Sequence, residues 1–343
     1  MQPARPGAAG WDTLAAAMSE ILAVTIPFFA LVLCGYLAAR YRLLPESAIP
    51  GLNGFVLYFA LPCMLFRFGA GMPVGELLDP VVLGVYALAQ LAVVTFTIAV
   101  TLSERVRIKD AAFGALVAAF PNSGFMGVPL LTTLLGAAAA GVAITSMLVD
   151  MLVTTSLCIA LAMSHRDQDA PTESGARSAV LRSLWGVVTN PLPWAIALGA
   201  LASVTGLQLP GPIHAVVRML GDAATPVALF TIGSVLWRAG QQVHTRTPVA
   251  LYLPVALIKL LLHPLLVFAL TGAARALGAP ITNFQVLVLT LVAALPSASN
   301  VSLLAERYRA DNGRVTRIIM ASTVLAFFSF TLLMWLLGVR TTG

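Results

Sequence analysis

The chain is 343 residues long, 59% hydrophobic and only 10% charged, with a mean hydropathy of +0.92. Soluble domains carry roughly 25% charged residues, so a water-soluble globular protein is excluded, as are a disordered chain, a collagen-like fibre and a disulfide scaffold. The net charge of +6 does not indicate nucleic acid, because the 20 basic residues lie mostly in short loops between apolar runs.

A bilayer-spanning helix needs about 20 apolar residues, and the chain has room for about ten. Residues 1–17 form a small, mixed tail. No cationic segment stands directly before a short apolar core with a small-residue cleavage site, so the first run is a retained helix rather than a signal peptide. The runs cover 18–39, 50–68, 81–101, 110–135, 139–163, 189–206, 212–237, 249–271, 282–304 and 315–338. The run at 189–206 is short and Pro-rich. The polar stretch 164–188 reads as a cytoplasmic linker between two halves, 18–163 and 189–338, and 339–343 is a short tail. Cys34, Cys63 and Cys158 lie inside apolar runs and read as packing residues.

Loops after odd-numbered runs carry 14 of the 20 Lys and Arg residues; the opposite side carries 5, and Lys259 lies inside a run. The excess of positive charge places the odd loops in the cytoplasm and both termini outside. The expected fold is therefore an all-α polytopic membrane protein of ten transmembrane helices. An odd number of helices per half makes the halves enter the membrane in opposite directions, the inverted repeat common in secondary transporters. Two internal matches support it. ALPCMLFRFG (60–69) in helix 2 aligns with ATPVALFTIG (224–233) in helix 7, matching Ala60/Ala224, Pro62/Pro226, Leu65/Leu229, Phe66/Phe230 and Gly69/Gly233. AAFPNS (118–123) in helix 4 aligns with AALPSA (293–298) in helix 9.

Helices 4 and 9 each contain helix-breaking residues in mid-run. Helix 4 has Pro121, Asn122, Ser123 and Gly124, then Gly127 and Pro129. Helix 9 has Pro296, Ser297, Ser299 and Asn300. Proline removes a backbone donor and clashes with the preceding turn, so both helices should break near mid-membrane. Open backbone at that depth is tolerated only where it is buried in protein or lines a cavity. Asn and Ser just after the breaks are suited to cap the second half-helices. Half-helix N-termini favour an anion such as a carboxylate, so a symmetric pair of breaks reads as a binding site. The alternative is an ordinary proline kink in each helix.

Asp150, Asp222, Lys259 and His263 lie inside apolar runs, where an ionised group needs a partner. Lys259 and His263 share a helix face. As a functional set they would relay protons or meet a substrate carboxylate; as a structural set Asp150 and Lys259 would form an ion pair, with Asp222 capping or pairing near the outer end of helix 7. Arg67, near the outer end of helix 2, either snorkels to headgroups or lines the entry. No Cys, His and carboxylate set has metal-ligand spacing, no base stands near Ser297 or Ser299, and no phosphate-binding loop occurs. No cofactor, metal or enzymatic activity is expected.

At these residues the chain resembles the auxin efflux carrier family, through the stretch from Asn122 to Leu130 in helix 4 and Leu220-Gly221 through Pro226 to Gly233 in helix 7. Pro296, Asn300, Leu304, Ala305 and Tyr308 in helix 9 and Asn190-Pro191 opening helix 6 also fit. The resemblance implies two inverted five-helix repeats, with broken helices 4 and 9 crossing in a mobile core against a scaffold of helices 1, 2, 6 and 7. It implies transport of a small organic carboxylate by alternating access, with Asn122 and Asn300 at the crossing, and it suggests a homodimer. Plant members have a long loop after helix 5; the short linker here resembles the bacterial branch and a bacterial inner membrane. Plant members also carry an acid in helix 2, where this chain has Cys63 and Arg67. A proton or potential-driven secondary transporter is the leading reading. A passive anion channel on the same scaffold and, behind it, a membrane sensor are the alternatives.

Overall fold

The computed structural model describes residues 8–164, 190–242 and 247–339. All ten expected runs are helical: α1 (Ala8–Arg40), α2 (Ala48–Ala70), α3 (Pro80–Thr101), α4a (Ile108–Ala119) with α4b (Ser123–Leu135), and α5 (Ala138–Ser164) in the first half. The second half holds α6 (Pro191–Thr205), α7 (Gly211–Gln242), α8 (Val249–Ala276), α9a (Asn283–Ala294) with α9b (Val301–Arg307), and α10 (Asn312–Leu336). A single turn, Val74–Leu77, precedes α3. Among the described residues seven helices are long and apolar enough to cross a membrane, and α4b, α6 and α9a are shorter apolar helices. Helix α1 starts at Ala8, inside the stretch expected to be a tail. The linker expected at 164–188 and the tail at 339–343 fall, apart from Ser164 and Val339, outside the described residues.

Burial sorts these helices. Residues 111–119 of α4a, 139–149 of α5 and 288–295 of α9 and its break are buried on every side. A helix that is apolar all round belongs in the middle of the protein. The outer helices instead expose large apolar side chains one turn apart: Leu198 and Leu201 on α6, Leu261, Leu265 and Phe268 on α8, and Phe328, Leu332 and Leu336 on α10. Stripes of this kind are not stable against water. They are the lipid-facing surface of a multi-pass membrane protein.

Two helix pairs approach at backbone distance. Helix α1 lies against α7, where a Cβ on Gly35 would fall inside the Phe230 carbonyl and one on Gly233 inside the Val32 carbonyl. Helix α2 lies against α6, where a Cβ on Gly199 would come within 2.5 Å of the Phe66 carbonyl oxygen, and one on Gly69 within 3.2 Å of the Gly199 Cα. Without a hydrophobic drive between helices in lipid, such close packing is what holds them together.

Four π-helical turns interrupt the spans, at Val56–Ala60, Ser123–Gly127, Asp150–Thr154 and Ile258–Leu262. Three end just ahead of a proline: Pro62, Pro129 and Pro264. A proline ring collides with the carbonyl four residues back, and widening the preceding turn relieves the collision.

Candidate functional site

The breaks in helices 4 and 9 meet. The residue before a proline is pushed to extended backbone, and both Phe120 (φ −91°, ψ 101°) and Leu295 (φ −62°, ψ 155°) adopt it. The two short extended stretches run antiparallel and pair at Pro121 and Ser297. The Asn122 N–H donates to the Pro296 carbonyl at 2.8 Å, and the Ala298 N–H donates to the Phe120 carbonyl at 3.0 Å. Each break thus satisfies backbone groups that the other leaves open. Gly127 permits the close fit, since a Cβ there would press within 2.6 Å of the Leu295 side chain.

Several polar groups at this crossing remain open. The Ser123 and Ser297 hydroxyls are buried and have no hydrogen-bond partner. Asn122 is 3% exposed, Ser299 half-buried and Asn300 exposed, and neither asparagine amide bonds to a described residue. The expected side-chain caps are not formed. An N-cap residue needs β-region backbone for its side chain to reach the next turn. Asn122 (ψ 56°) leads into a π turn and Asn300 (φ −68°, ψ −16°) is already helical. Their backbone carbonyls accept the first-turn N–H groups instead: Met126 and Gly127 bond to Asn122, Leu303 and Leu304 to Asn300. The N–H groups of Gly124, Phe125, Ser299 and Asn300 donate to no backbone carbonyl. Free N–H groups, two orphan hydroxyls and two unengaged amides make a neutral, donor-rich set of groups along the paired breaks, of a kind that suits an anion.

Behind the crossing lies a buried polar cluster. Asp150 accepts from the Gln90 amide and, at 3.3 Å, from the Tyr86 hydroxyl. The Gln90 Nε2 also donates at 2.9 Å to the carbonyl of Ala119, the last residue of α4a. Lys259 Nζ lies 2.9 Å from His263 Nδ1 and donates at 2.8 Å to the Ala293 carbonyl near the end of α9a. Tyr86 and His263 face each other with ring centroids 6.4 Å apart. The direct Asp150–Lys259 ion pair considered from sequence is therefore not made. The breaks free carbonyls at the ends of both first half-helices, and Gln90 and Lys259 are drawn to those instead. Lys259 is fully buried, so in this conformation it is not open to a substrate.

Asp222 does not belong with the buried charges. Its side chain is 64% exposed and pairs with Arg67 Nη1 at 2.6 Å, joining α2 to α7. Tyr86 and Gln90 were missed from sequence. Their signal was a polar pair four residues apart inside an apolar run, the same spacing as Lys259 and His263. Arg314 was counted only as a loop charge, yet it is buried, donating from Nε to the Leu251 carbonyl and from Nη1 to the Asp110 carbonyl.

A family model described as "Membrane transport protein" matches residues 21–334. A protein of Rhizobium meliloti named "Putative malonate transporter" is 28% identical over 93% of this chain and 97% of its own. An "Uncharacterized transporter" of Methanothermobacter thermautotrophicus is 28% identical over 88% of this chain and 93% of its own. The "Uncharacterized transporter YfdV" of Escherichia coli K12 is 25% identical over 88% and 92%.

Proposed function

The chain belongs to this membrane transport protein family, the auxin efflux carrier family that its motifs resemble, and from that premise we propose that it carries a small organic carboxylate across the membrane by alternating access. The observation that carries the reading is the crossing itself: Ser123 and Ser297 hold buried, unpartnered hydroxyls where the two breaks pair, and Asn122 and Asn300 of the same breaks have amides that bond to no described residue. Buried polar groups in a folded protein are normally bonded, and a ligand that accepts hydrogen bonds would complete these. A carboxylate has the acceptors and the charge for two half-helix N-termini. Malonate, named for one relative, is the first candidate.

Pairs of contacts favour two inverted repeats. Gly69 and Gly233, aligned from sequence, each sit in a backbone-close seam, α2 with α6 and α7 with α1. Gln90 from α3 caps α4a as Lys259 from α8 caps α9a. In this reading the glycine-packed helices α1, α2, α6 and α7 are the scaffold and the crossing helices move against it. The excess of Lys and Arg supports loops after odd-numbered helices on the cytoplasmic side, in this reading of a bacterial inner membrane, with both termini outside. Coupling falls to protons or to the membrane potential, with the Asp150, Lys259 and His263 cluster beside the moving breaks.

The test is current from proteoliposomes on a solid-supported membrane, with malonate and a panel of mono- and dicarboxylates at two pH values, backed by labelled uptake. A saturable signal in the wild type, lost in Asn122→Ala while that variant stays monodisperse and thermally stable, is expected. Silence across the panel in both assays overturns the carboxylate reading, and full transport by Asn122→Ala overturns the site.

A further inference from the structure

Away from the crossing, a cavity of about 520 Å³ opens between α1, α2, α7 and α4b, lined by Phe28, Met64, Arg67, Thr132, Asp222 and Thr225 among others. A neighbouring cavity of about 490 Å³, lined by Gly71, Gln208 and His214, is also bordered by Arg67. Cavities of this size suit small organic ligands. Arg67 is the residue common to both.

The engagement of its guanidinium is one-sided. Nη1 donates to Asp222 Oδ1 at 2.6 Å and, at 3.3 Å, to the Arg218 carbonyl. Nε and Nη2 donate to no described residue, and the side chain is 36% exposed. Gly221 lets Nη1 approach α7 closely, since a Cβ there would come within 3.3 Å of Nη1 and of the Met64 backbone. Asp222 and the Arg218 carbonyl therefore pin one edge and orient the group. The free edge, Nε–H beside Nη2–H, is the fork that meets a carboxylate with two parallel hydrogen bonds. An arginine that only snorkels needs neither an enclosing cavity nor a glycine seat.

We propose that Arg67 forms a second, carboxylate-binding subsite in this vestibule, with Asp222 as the resident counter-ion that holds the fork in place and tempers its affinity. The inference rests on the carboxylate reading of the crossing. The subsite would receive the anion where α4b, through Pro129, Thr132 and Thr133, borders the cavity, before or after its passage to the crossing.

The two partners of the ion pair should act in opposite directions. With malonate as probe and the full chain in proteoliposomes, Arg67→Gln is expected to raise the half-saturating concentration about tenfold. The limiting current should stay within about twofold. Arg67→Lys, which keeps the charge but not the fork, should recover only part. Asp222→Asn should lower the half-saturating concentration about threefold. A purely structural ion pair would move Arg67→Gln and Asp222→Asn the same way, or neither; either result overturns the subsite. Should Arg67→Gln fail to fold, the sign of the Asp222→Asn shift decides. The crossing is read separately: Asn122→Ala abolishes transport whatever Arg67 does. If the wild type carries another acid of the panel but not malonate, that acid serves as the probe, and a wild type silent across the panel in both assays overturns both.

Discussion

The glycine seams and the crossing solve opposite problems. Along α1 with α7 and α2 with α6 the backbones touch through Gly35, Gly233, Gly69 and Gly199. Those helices run without a mid-span break, so most of their backbone bonds stay within the helix, and close packing, with the Ser234 hydroxyl donating to the Gly35 carbonyl at 3.0 Å, holds α1 to α7. At the crossing the backbone has given up helical bonds. Two inter-segment hydrogen bonds and the Gln90 and Lys259 side chains restore some of them, and orphan hydroxyls and amides remain. The first region has one tight arrangement and suits a fixed frame. The second is incompletely bonded, which is what a ligand site in a moving element requires.

That contrast can be broken first at the seam. Gly233→Val would force the Val32 carbonyl away from α7, and overpacking of a tight contact costs at least about 3 kcal/mol where backbone must part. The purified variant should aggregate or unfold far below the wild type in a thermal melt; a wild-type melt would mean that the seam is not a rigid frame. Gln90→Leu should act next. It leaves the Ala119 carbonyl and Asp150 short of a donor, at about 2 kcal/mol. Its melting temperature should fall and its transport with it. An unchanged melt would show that the cap contributes nothing to the break. The smallest change in stability is expected from Ser297→Ala. Removing an orphan buried hydroxyl is neutral or stabilising by up to about 1 kcal/mol, yet transport should drop severalfold. Stability and transport moving together would place Ser297 with the frame rather than with the ligand.

Much of this was legible in the chain. Mean hydropathy and ten long apolar runs required a helical membrane protein, because lipid-exposed backbone must be bonded within its own helix unless the chain closes a barrel. Pro121 and Pro296 located the breaks, since a proline disfavours helical backbone at the residue before it and each here stands just ahead of Asn and Ser; Pro62, Pro129 and Pro264, without such a cluster just after them, are absorbed into helices. The Gly69/Gly233 match reads as repeat symmetry, and the structure puts both glycines in close-packed seams. Side-chain partners were not legible in the same way. Charge alone offers Asp150 as a structural partner for Lys259, but the nearer demand comes from the Ala293 carbonyl. Asp222 does pair, as the structural alternative has it, but its partner Arg67 and its exposed place on a cavity came only with the structure.

The sequence by itself determined where helices form, where they break and that the protein lives in a bilayer. These follow largely from local rules of hydrophobic length and proline sterics. The tertiary structure alone decided which polar atoms meet: that the two breaks pair at Pro121 and Ser297, that Gln90 and Lys259 close the half-helices, and that one edge of Arg67 stays free. A hydrogen bond depends on atoms brought within about 3 Å, and residues scores of positions apart reach that distance only through the packing of the whole helical bundle.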